Sequence, residues 1–202
     1  MNLSLISRYF QPKRILDIGA NVGQFYKLCR SNFPEAYIFS VEASRDCERY
    51  LKDVTDGDYY IGLLGKSNEI VKFYKNKSNP LSTGNSIFRE LTSHFSNDNL
   101  IIEEQSCIRL DDLFPNGFFD LIKIDTQGSE LNILAGGPEM SSKATGILLE
   151  VSITQYNEGS PLYDEAIEFM SNLGFEKAEI LDETNIQIVH QQDILFIKRS
   201  CT

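Results

Sequence analysis

The segment 14–23, with the sequence RILDIGANVG, constrains the fold of this chain more than any other stretch. Residues 15–18 include three large aliphatic side chains, which is typical of a short buried strand. Gly19 and Gly23 follow, at the point where helical spacing begins. A strand that leads through a glycine turn into a helix N-terminus is a common binding site for nucleotide cofactors. The segment therefore predicts an α/β fold with a cofactor at this turn.

Asp17, near the end of that strand, indicates which cofactor it is. The dinucleotide fingerprint G-x-G-x-x-G has a glycine at this place, which lets the backbone approach a pyrophosphate. A carboxylate would repel a pyrophosphate, but it suits a cofactor that presents cations, such as the ammonium and sulfonium groups of S-adenosylmethionine. We therefore predict S-adenosylmethionine. The alternatives are a nicotinamide-dependent oxidoreductase and a cofactor-binding protein without catalysis.

A second acid, Glu42, ends the next predicted strand, Tyr37–Val41. In a parallel sheet it lies beside the end of the first strand, where the ribose of a cofactor is expected. A carboxylate can accept two hydrogen bonds from a vicinal diol, so Glu42 predicts a ribose contact. S-adenosylmethionine and nicotinamide cofactors both carry that diol, so Glu42 does not distinguish between them.

Three further residues are candidates for catalysis. Asp125 follows the predicted strand Phe119–Ile124 and is expected near the reacting end of the cofactor. It could accept a bond from the cofactor amine, orient a substrate hydroxyl or cap the next helix. Glu150 lies in an apolar run, where a carboxylate is costly to bury alone, and could be a base, a metal ligand or a structural acceptor. His94 could be a base or an isolated surface histidine.

The order of apolar segments predicts a βαβαβ unit, a long excursion at about 65–117, and a second α/β half. The third strand is predicted at Tyr59–Leu64, and the excursion is predicted to hold a short helix at Ile87–Phe95. We expect Asn76–Phe95 to form a wall or lid over the acceptor, because it carries many hydroxyl and amide groups. A helix is predicted at Pro161–Leu173, with Ser160 as its N-cap. Two final strands are predicted at Phe175–Leu181 and Ile194–Lys198, and the short link between them predicts antiparallel pairing.

Composition restricts the class of partner. The chain has 202 residues and a net charge of −10, which disfavours nucleic acid or an anionic membrane as a partner. It has no secretory segment and no apolar run long enough to span a bilayer. Its four cysteines form no C-x-x-C pair. These features predict a single cytoplasmic domain, 1–202, that acts on a small molecule.

Taken together, several motifs resemble the FkbM-type methyltransferases. They are DIGANVG, the strand-ending Glu42, IRLDDL at 108–113, FDLIKIDTQGSELNILAGG at 119–137 and GILLEVS at 146–152. The block at 123–130 is the most specific, although the family usually has Glu where this chain has Gln127. The resemblance covers nearly the whole chain.

The resemblance implies a Rossmann-like class I methyltransferase fold, with a mostly parallel seven-stranded sheet and an antiparallel C-terminal strand. It also implies methyl transfer from S-adenosylmethionine to a hydroxyl oxygen, often on a sugar or a polyketide. We therefore predict an O-methyltransferase for a small hydroxylated acceptor, such as a sugar or glycosylated precursor, and no metal site. The predicted cofactor-binding residues are Asp17, Gly19, Ala20, Asn21, Gly23, Glu42, Ala43 and Asp125, and the candidate catalytic residues are Asp125, Glu150 and His94.

Overall fold

The structure, a computed structural model, describes residues 1–56 and 58–199. A short 3-10 helix, Leu3–Arg8, precedes the first strand. The strands are β1 (Arg14–Ile18), β2 (Tyr37–Glu42), β3 (Tyr59–Ile61), β4 (Leu63–Gly65), β5 (Glu69–Asn76), β6 (Leu100–Arg109), β7 (Leu121–Ile124), β8 (Gly146–Ser152), β9 (Phe175–Ile186) and β10 (Val189–Lys198). The α-helices are α1 (Gln24–Asn32), α2 (Glu48–Val54), α3 (Leu110–Leu113), α4 (Glu130–Ala135), α5 (Pro138–Lys143) and α6 (Tyr163–Asn172).

Seven strands form the main sheet, in the order β3-β2-β1-β7-β8-β10-β9. The pairs from β3 to β8 are parallel, and β10 is antiparallel to both of its neighbours. This is the predicted class I methyltransferase arrangement, and the expected antiparallel strand is confirmed. The chain builds β2 and β3 on one side of β1 and later adds β7 on the other side. The carboxyl ends of β1 and β7 therefore flank a topological switch point, where open α/β sheets bind ligands.

Each face of this sheet is covered by an apolar layer. Successive side chains of a strand point to opposite faces, so the buried strand residues contribute to both layers. Leu16 and Ile18 face one layer, which includes α4 and α6, whereas Ile15 faces the other, which includes α1 and the N-terminal 3-10 helix. Cys29, Cys47 and Cys107 are free thiols inside the protein, and Cys201 lies outside the described residues. No helix in the described part of the chain is both long and apolar enough to cross a bilayer.

The excursion forms a second, three-stranded sheet in the order β4-β6-β5. The predicted single strand Tyr59–Leu64 is therefore wrong: it splits into β3, at the edge of the main sheet, and β4, in the second sheet. The chain leaves the main sheet at Gly62, whose N–H still donates to the Glu42 carbonyl at 2.9 Å. A continuous apolar run cannot show that its two halves pair with different partners.

The predicted helix Ile87–Phe95 is also wrong, since only a 3-10 turn at Ser93–Phe95 is helical. The backbone of this segment bonds to distant parts of the chain instead. The Leu91 N–H donates to the Tyr156 carbonyl at 2.7 Å, and the Arg89 carbonyl accepts from Glu158 N–H at 2.8 Å. Long-range backbone pairing has replaced the local bonds of a helix.

Two further helices begin later than the sequence pattern predicts. The sequence pattern after β7 predicts a helix at Gln127–Ala135. The helix begins at Glu130, because Gln127 and Gly128 have φ of 59° and 108° and cannot be helical. The helix predicted from Pro161 begins at Tyr163, and its N-cap is Leu162 rather than Ser160. The Ser160 hydroxyl instead donates to the Asn157 carbonyl at 3.0 Å.

Candidate active site

A cavity of about 290 Å³ opens at the carboxyl ends of β1, β2 and β7. Six of the eight predicted cofactor-binding residues line it, namely Gly19, Ala20, Asn21, Glu42, Ala43 and Asp125. Asp17 and Gly23 do not line it. The structure thus brings together residues from three strand ends, as expected for a ligand site at a switch point.

The two glycines of the turn have different structural tasks. Gly19 has φ +80°, and a Cβ atom there would lie 1.7 Å from the Asp125 carbonyl oxygen. Its missing side chain therefore lets the end of β7 approach the turn. Gly23 is the N-cap of α1 at φ +84°, and a Cβ there would lie 2.9 Å from Val54 in α2. The missing side chain of Gly23 therefore lets α2 pack against the start of α1.

Asp17 lies beneath the cavity and faces a buried cation. Its side chain is 0% exposed, and its Oδ1 atom lies 3.3 Å from Nζ of Lys123, which is 3% exposed. Burial raises the pKa of Asp17, and the charge of Lys123 opposes that rise. Among the described residues, neither Asp17 oxygen has a partner with good hydrogen-bond geometry. Asp17 therefore faces Lys123 and does not line the cavity in which we predicted it to meet the cofactor.

Lys123 lines the cavity and contacts two acids. Its Nζ atom lies 3.2 Å from Asp125 Oδ2 and donates to the Gly19 carbonyl at 3.1 Å. Burial opposes its charge, but Asp125 and Asp17 together raise the pKa of Lys123 above its ordinary value. Lys123 therefore links the end of β7 to the end of β1 through Asp17, Asp125 and the Gly19 carbonyl.

Glu42 is a buried carboxylate at the other end of the cavity. Its Oε2 accepts from Asn21 N–H at 2.8 Å and its Oε1 accepts from Ser44 N–H at 2.7 Å. Burial raises the pKa of Glu42, and these two backbone donors oppose the rise. Each oxygen keeps a free lone pair for a ligand hydroxyl. Glu42 thereby fixes the glycine turn and adds a carboxylate to the lining of the cavity.

Asp125 and Glu150 form a carboxyl pair joined by Gln127. Gln127 Nε2 donates to Asp125 Oδ1 at 3.1 Å and also to Glu150 Oε2. The Tyr156 hydroxyl lies 2.7 Å from Gln127 Oε1 and also contacts Gln191 Oε1, and its one proton can be donated to either amide oxygen. Gln191 of β10 donates to the other Glu150 oxygen. Sequence reasoning recognised the two acids but not this network, whose members come from four parts of the chain.

The two carboxyls differ in exposure and in proton affinity. Asp125 is 31% exposed and lines the cavity, whereas Glu150 is 9% exposed and is not among the lining residues. Burial opposes the charge of Asp125, but Lys123 and hydrogen bonds from Glu150 and Gln127 lower its pKa. Burial and the charge of Asp125 raise the pKa of Glu150 well above its ordinary value. Of the two carboxyls, Glu150 therefore has the higher proton affinity.

Glu130 shapes the turn that carries this pair. Its buried carboxylate accepts from the N–H groups of Thr126 and Gly128, at 2.8 Å and 3.0 Å. These bonds close the turn in which Gln127 adopts a positive φ of 59°. The turn presents Asp125 and Gln127 side by side, which a helix starting at Gln127 could not do.

One wall of the cavity comes from the excursion. It contributes Ser82, Thr83, Asn85, Ser86 and Ile87. The Ser86 hydroxyl lies 2.9 Å from each of the carbonyl oxygens of Thr126 and Gln127, and Asn21 Nδ2 donates to the Leu81 carbonyl at 3.2 Å. The wall is thus bonded to the glycine turn and to the turn that carries Asp125.

His94 lies away from this arrangement. It is exposed on the Ser93–Phe95 turn and does not line the cavity. The cavity also contains apolar residues that sequence reasoning did not single out. They are Phe25 and Leu28 of α1, Leu63 and Leu64 of β4, Phe73 of β5 and Ile133 of α4. Their apolar spacing indicated burial, and only the fold places them around a ligand site. Within residues 1–56 and 58–199, no group of three or more His, Cys, Asp or Glu side chains could hold a metal ion.

The family model of the methyltransferase FkbM domain matches residues 17–177. The chain belongs to the FkbM methyltransferase family. Membership of this methyltransferase family implies S-adenosylmethionine, and not a nicotinamide, as the cofactor. Among curated proteins, none matches this chain.

Solved structures show the same fold at low identity. An FkbM methyltransferase from Methylobacillus flagellatus KT is 14% identical with a TM-score of 0.56, over 93% of this chain and 44% of that chain. The present chain thus spans less than half of that FkbM protein. Magnesium protoporphyrin IX methyltransferase from Synechocystis PCC 6803, crystallised with bound SAM, is 10% identical with a TM-score of 0.52, over 97% of this chain and 74% of that chain.

A third structure is the N-terminal domain of EvdMO1, crystallised in the presence of SAH and D-fucose. It is 13% identical with a TM-score of 0.53, over 97% of this chain and 80% of that chain. At these identities the three structures establish the fold of this FkbM-family chain.

Proposed function

We propose that this FkbM-family protein transfers a methyl group from S-adenosylmethionine to a hydroxyl oxygen of a small polar acceptor, either a sugar or a glycosylated precursor. The observation that carries the proposal is the composition of one cavity. It combines the carboxylate of Asp125 with a wall that bears the hydroxyl and amide side chains of Ser82, Thr83 and Asn85. Such groups suit an acceptor rich in hydroxyls.

The residues present fit the cofactor. Glu42 has free lone pairs for the ribose diol, and Asp125 offers a negative charge for the ammonium of the methionyl group. Phe25, Leu28 and Leu64 supply apolar surface for the adenine. The turn at Gly19, Ala20 and Asn21 has no large side chains, so its backbone can contact the ligand. When bound, S-adenosylmethionine supplies an electrophilic methyl group on a cationic sulfur.

The protein then has to align and deprotonate the acceptor hydroxyl. We assign to Asp125 the task of accepting a hydrogen bond from that hydroxyl, because it is the member of the carboxyl pair that lines the cavity. Lys123 holds the Asp125 carboxylate charged and in place. Glu150 does not line the cavity, and it acts on the acceptor only through its effect on Asp125. The proposal assigns no catalytic role to His94, which is remote from the cavity lining.

Alignment can supply much of the rate, and a general base typically adds about 10²–10⁴-fold. The wall formed by residues 82–87 lines one side of the cavity in which the acceptor would be aligned. Free, buried Cys29, Cys47 and Cys107 suit a reducing compartment, and we therefore propose a cytoplasmic location. The net charge of −10 supports small acceptors over nucleic acid.

A radiolabel-transfer assay tests the proposal. The protein is incubated with methyl-labelled S-adenosylmethionine and a panel of nucleotide sugars, free sugars, oligosaccharides, small phenols, protein and RNA. Transfer to a hydroxylated small molecule, in a product stable to alkali as expected for an ether, supports the proposal. Asp125→Asn should lose activity about 10²-fold or more. Transfer to RNA or protein alone would contradict the acceptor class, and cofactor binding without transfer to any acceptor would favour a non-catalytic binding protein.

A further inference from the structure

A second groove, of about 670 Å³, is formed by the residues that follow β2 and by the start of the cavity wall. Its cations are Arg45, in the 3-10 turn before α2, and Arg49 and Lys52, in α2 itself. The rest of its lining is Asp46, Glu48, Tyr59, Asn79, Pro80 and Leu81. We call this surface the basic groove, and the methyl transfer proposed above does not use it.

The three cations of the basic groove lie close together without acidic partners. Arg45, Arg49 and Lys52 are four and three residues apart, a spacing that puts neighbouring side chains on one helical face. Like charges at this spacing destabilise a helix. Among the described residues, none of the three forms an ion pair. This is unusual in a chain with 29 acidic and 19 basic side chains, and an anionic ligand would offset the repulsion.

The acids of the groove do not neutralise this charge. Asp46 Oδ2 lies 2.7 Å from Nζ of Lys75, a cation that does not line the groove. With Asp46 matched in this way, Glu48 is the one carboxylate in the lining against three cations. The basic groove therefore carries an excess of about two positive charges at neutral pH.

One of the guanidinium groups is held in place by its neighbour. Arg49 Cζ lies 4.6 Å from the centre of the Tyr50 ring, and Arg49 Nη2 donates to the Tyr50 hydroxyl at 2.5 Å. The remaining N–H donors of Arg49 stay available to a ligand. Guanidinium groups bind phosphate oxygens through paired, charge-assisted hydrogen bonds.

We propose that the basic groove binds the diphosphate group of a small phosphorylated molecule. Two guanidinium groups and one ammonium group match the charge and the many acceptor oxygens of a diphosphate. Tyr59, Pro80 and Leu81 supply apolar surface for the part of the molecule next to its phosphates. The small size of the groove and the overall negative charge of the protein favour such a molecule over a nucleic acid.

The basic groove and the cofactor cavity are adjacent along two segments of the chain. Ala43 lines the cavity and Arg45 lines the groove, and likewise Ser82 lines the cavity and Leu81 the groove. Asn21, a cavity residue, donates to the Leu81 carbonyl at 3.2 Å. The diphosphate can therefore belong to the acceptor, as in a nucleotide-linked sugar, or to a separate effector. The acceptor source rests on the proposed function, whereas the groove site does not.

Isothermal titration calorimetry with inorganic pyrophosphate tests the site. We expect one pyrophosphate per chain at low ionic strength, with an affinity that falls as salt is added. The double variant Arg45→Gln with Arg49→Gln should weaken binding about tenfold for each guanidinium removed. Lys13→Gln with Lys72→Gln removes the same charge from exposed positions outside the groove and should change the affinity less than about twofold.

The same titration repeated with saturating S-adenosylmethionine separates the groove from the cavity. Pyrophosphate should still bind, because the two ligands would occupy different sites. Absence of saturable binding, displacement by S-adenosylmethionine, or equal loss of affinity in the two double variants would each overturn the proposal.

Hydrogen-exchange mass spectrometry on the unmodified protein provides a readout that needs no variant. Pyrophosphate should slow amide exchange in residues 45–52 and 79–81, and slowing confined to the glycine turn at 19–23 would contradict the proposal. Neither binding experiment includes an acceptor, so failure of the proposed O-methylation would leave both results intact. Once an acceptor is found, competitive inhibition of its methylation by pyrophosphate would identify the acceptor as the source of the diphosphate. An effect without competition would identify a separate effector, and either result supports the groove as a diphosphate site.

Discussion

The Lys123 ammonium lies 3.3 Å from the Asp17 carboxylate, and both side chains are almost completely enclosed by the protein. The two residues belong to adjacent parallel strands and are direct partners in the β1–β7 register. A charge buried alone at either position would lower the stability of the fold, so each residue reduces the free-energy cost of burying the other. Lys123 also lines the cavity, where the same ammonium contacts Asp125.

This relationship predicts a strong effect of breaking the pair. Lys123→Met should lower the free energy of unfolding by about 3–5 kcal/mol, because it leaves Asp17 buried without a cation. The double variant Asp17→Asn with Lys123→Met should be less destabilised than the sum of the single variants. Urea denaturation measures all three, with exposed Lys72→Met as the control. A cost below about 1 kcal/mol for Lys123→Met would show that the pair is dispensable.

Gly19 should be intolerant of even a methyl group. Gly19→Ala places a Cβ atom 1.7 Å from the Asp125 carbonyl oxygen, in addition to the strain of φ +80°. We expect a loss of about 3 kcal/mol or more in unfolding free energy. Gly174→Ala is the matched control, because Gly174 has φ +85° and nothing lies within 4 Å of its Cβ position. That variant should cost only about 1–2 kcal/mol of left-handed strain. If the two variants lost the same unfolding free energy, the close approach of the Asp125 carbonyl to Gly19 would not explain the loss.

Glu42 should contribute to cofactor binding. Glu42→Ala should weaken S-adenosylmethionine binding by about 1.5–3 kcal/mol, because it removes a charged acceptor for the ribose and the bonds that fix Asn21 and Ser44. Calorimetry gives the affinity, and circular dichroism checks that the variant is folded. The exposed acid Glu35 supplies the control Glu35→Ala. Unchanged affinity in a folded Glu42→Ala protein would exclude Glu42 from the binding site.

Ser86 should hold the wall of the cavity to the turn at Asp125. Ser86→Ala removes the hydroxyl that lies 2.9 Å from the carbonyl oxygens of Thr126 and Gln127. Loss of one such bond, about 1 kcal/mol, should speed amide exchange in residues 82–88 about fivefold. Hydrogen-exchange mass spectrometry measures this, with exposed Ser106→Ala as the control. The same measurement on the unmodified protein, with and without cofactor, tests whether Asn76–Phe95 closes as a lid; unchanged protection would leave only a fixed wall.

Asp193 should make stability depend on pH near neutrality. Burial and the negative charge of Asp125 raise its pKa from 3.8 to about 7. The folded protein therefore holds this proton more tightly than the unfolded chain, and stability falls as the pH rises from about 4 to about 7. Asp193→Asn should remove this part of the loss, so its stability relative to the unmodified protein should rise between pH about 5 and about 8. Urea denaturation at both pH values measures this change, with exposed Asp98→Asn as the control. A constant difference in stability between Asp193→Asn and the unmodified protein would contradict the assignment.

The amino-acid sequence by itself determined the main sheet and the position of its ligand site. Short apolar runs with glycines between them identify buried strands because burial and turn geometry are local properties. The acids that end β2 and β7 could therefore be assigned to one sheet edge, and the structure places Glu42 and Asp125 on one cavity. The same local signals failed at Gly62 and in 87–95, where the pairing partners are distant.

Only the tertiary structure decided which charges meet. Asp17 looked like a cofactor ligand from its place near a strand end, but the β1–β7 register puts it against Lys123. Glu150 read as an isolated acid in an apolar strand, and the fold surrounds it with Gln127 and Gln191. The physical reason is that periodicity reports whether a side chain is buried, whereas its partner depends on strand register and on turns such as 126–129. These are set by the packing of the whole chain.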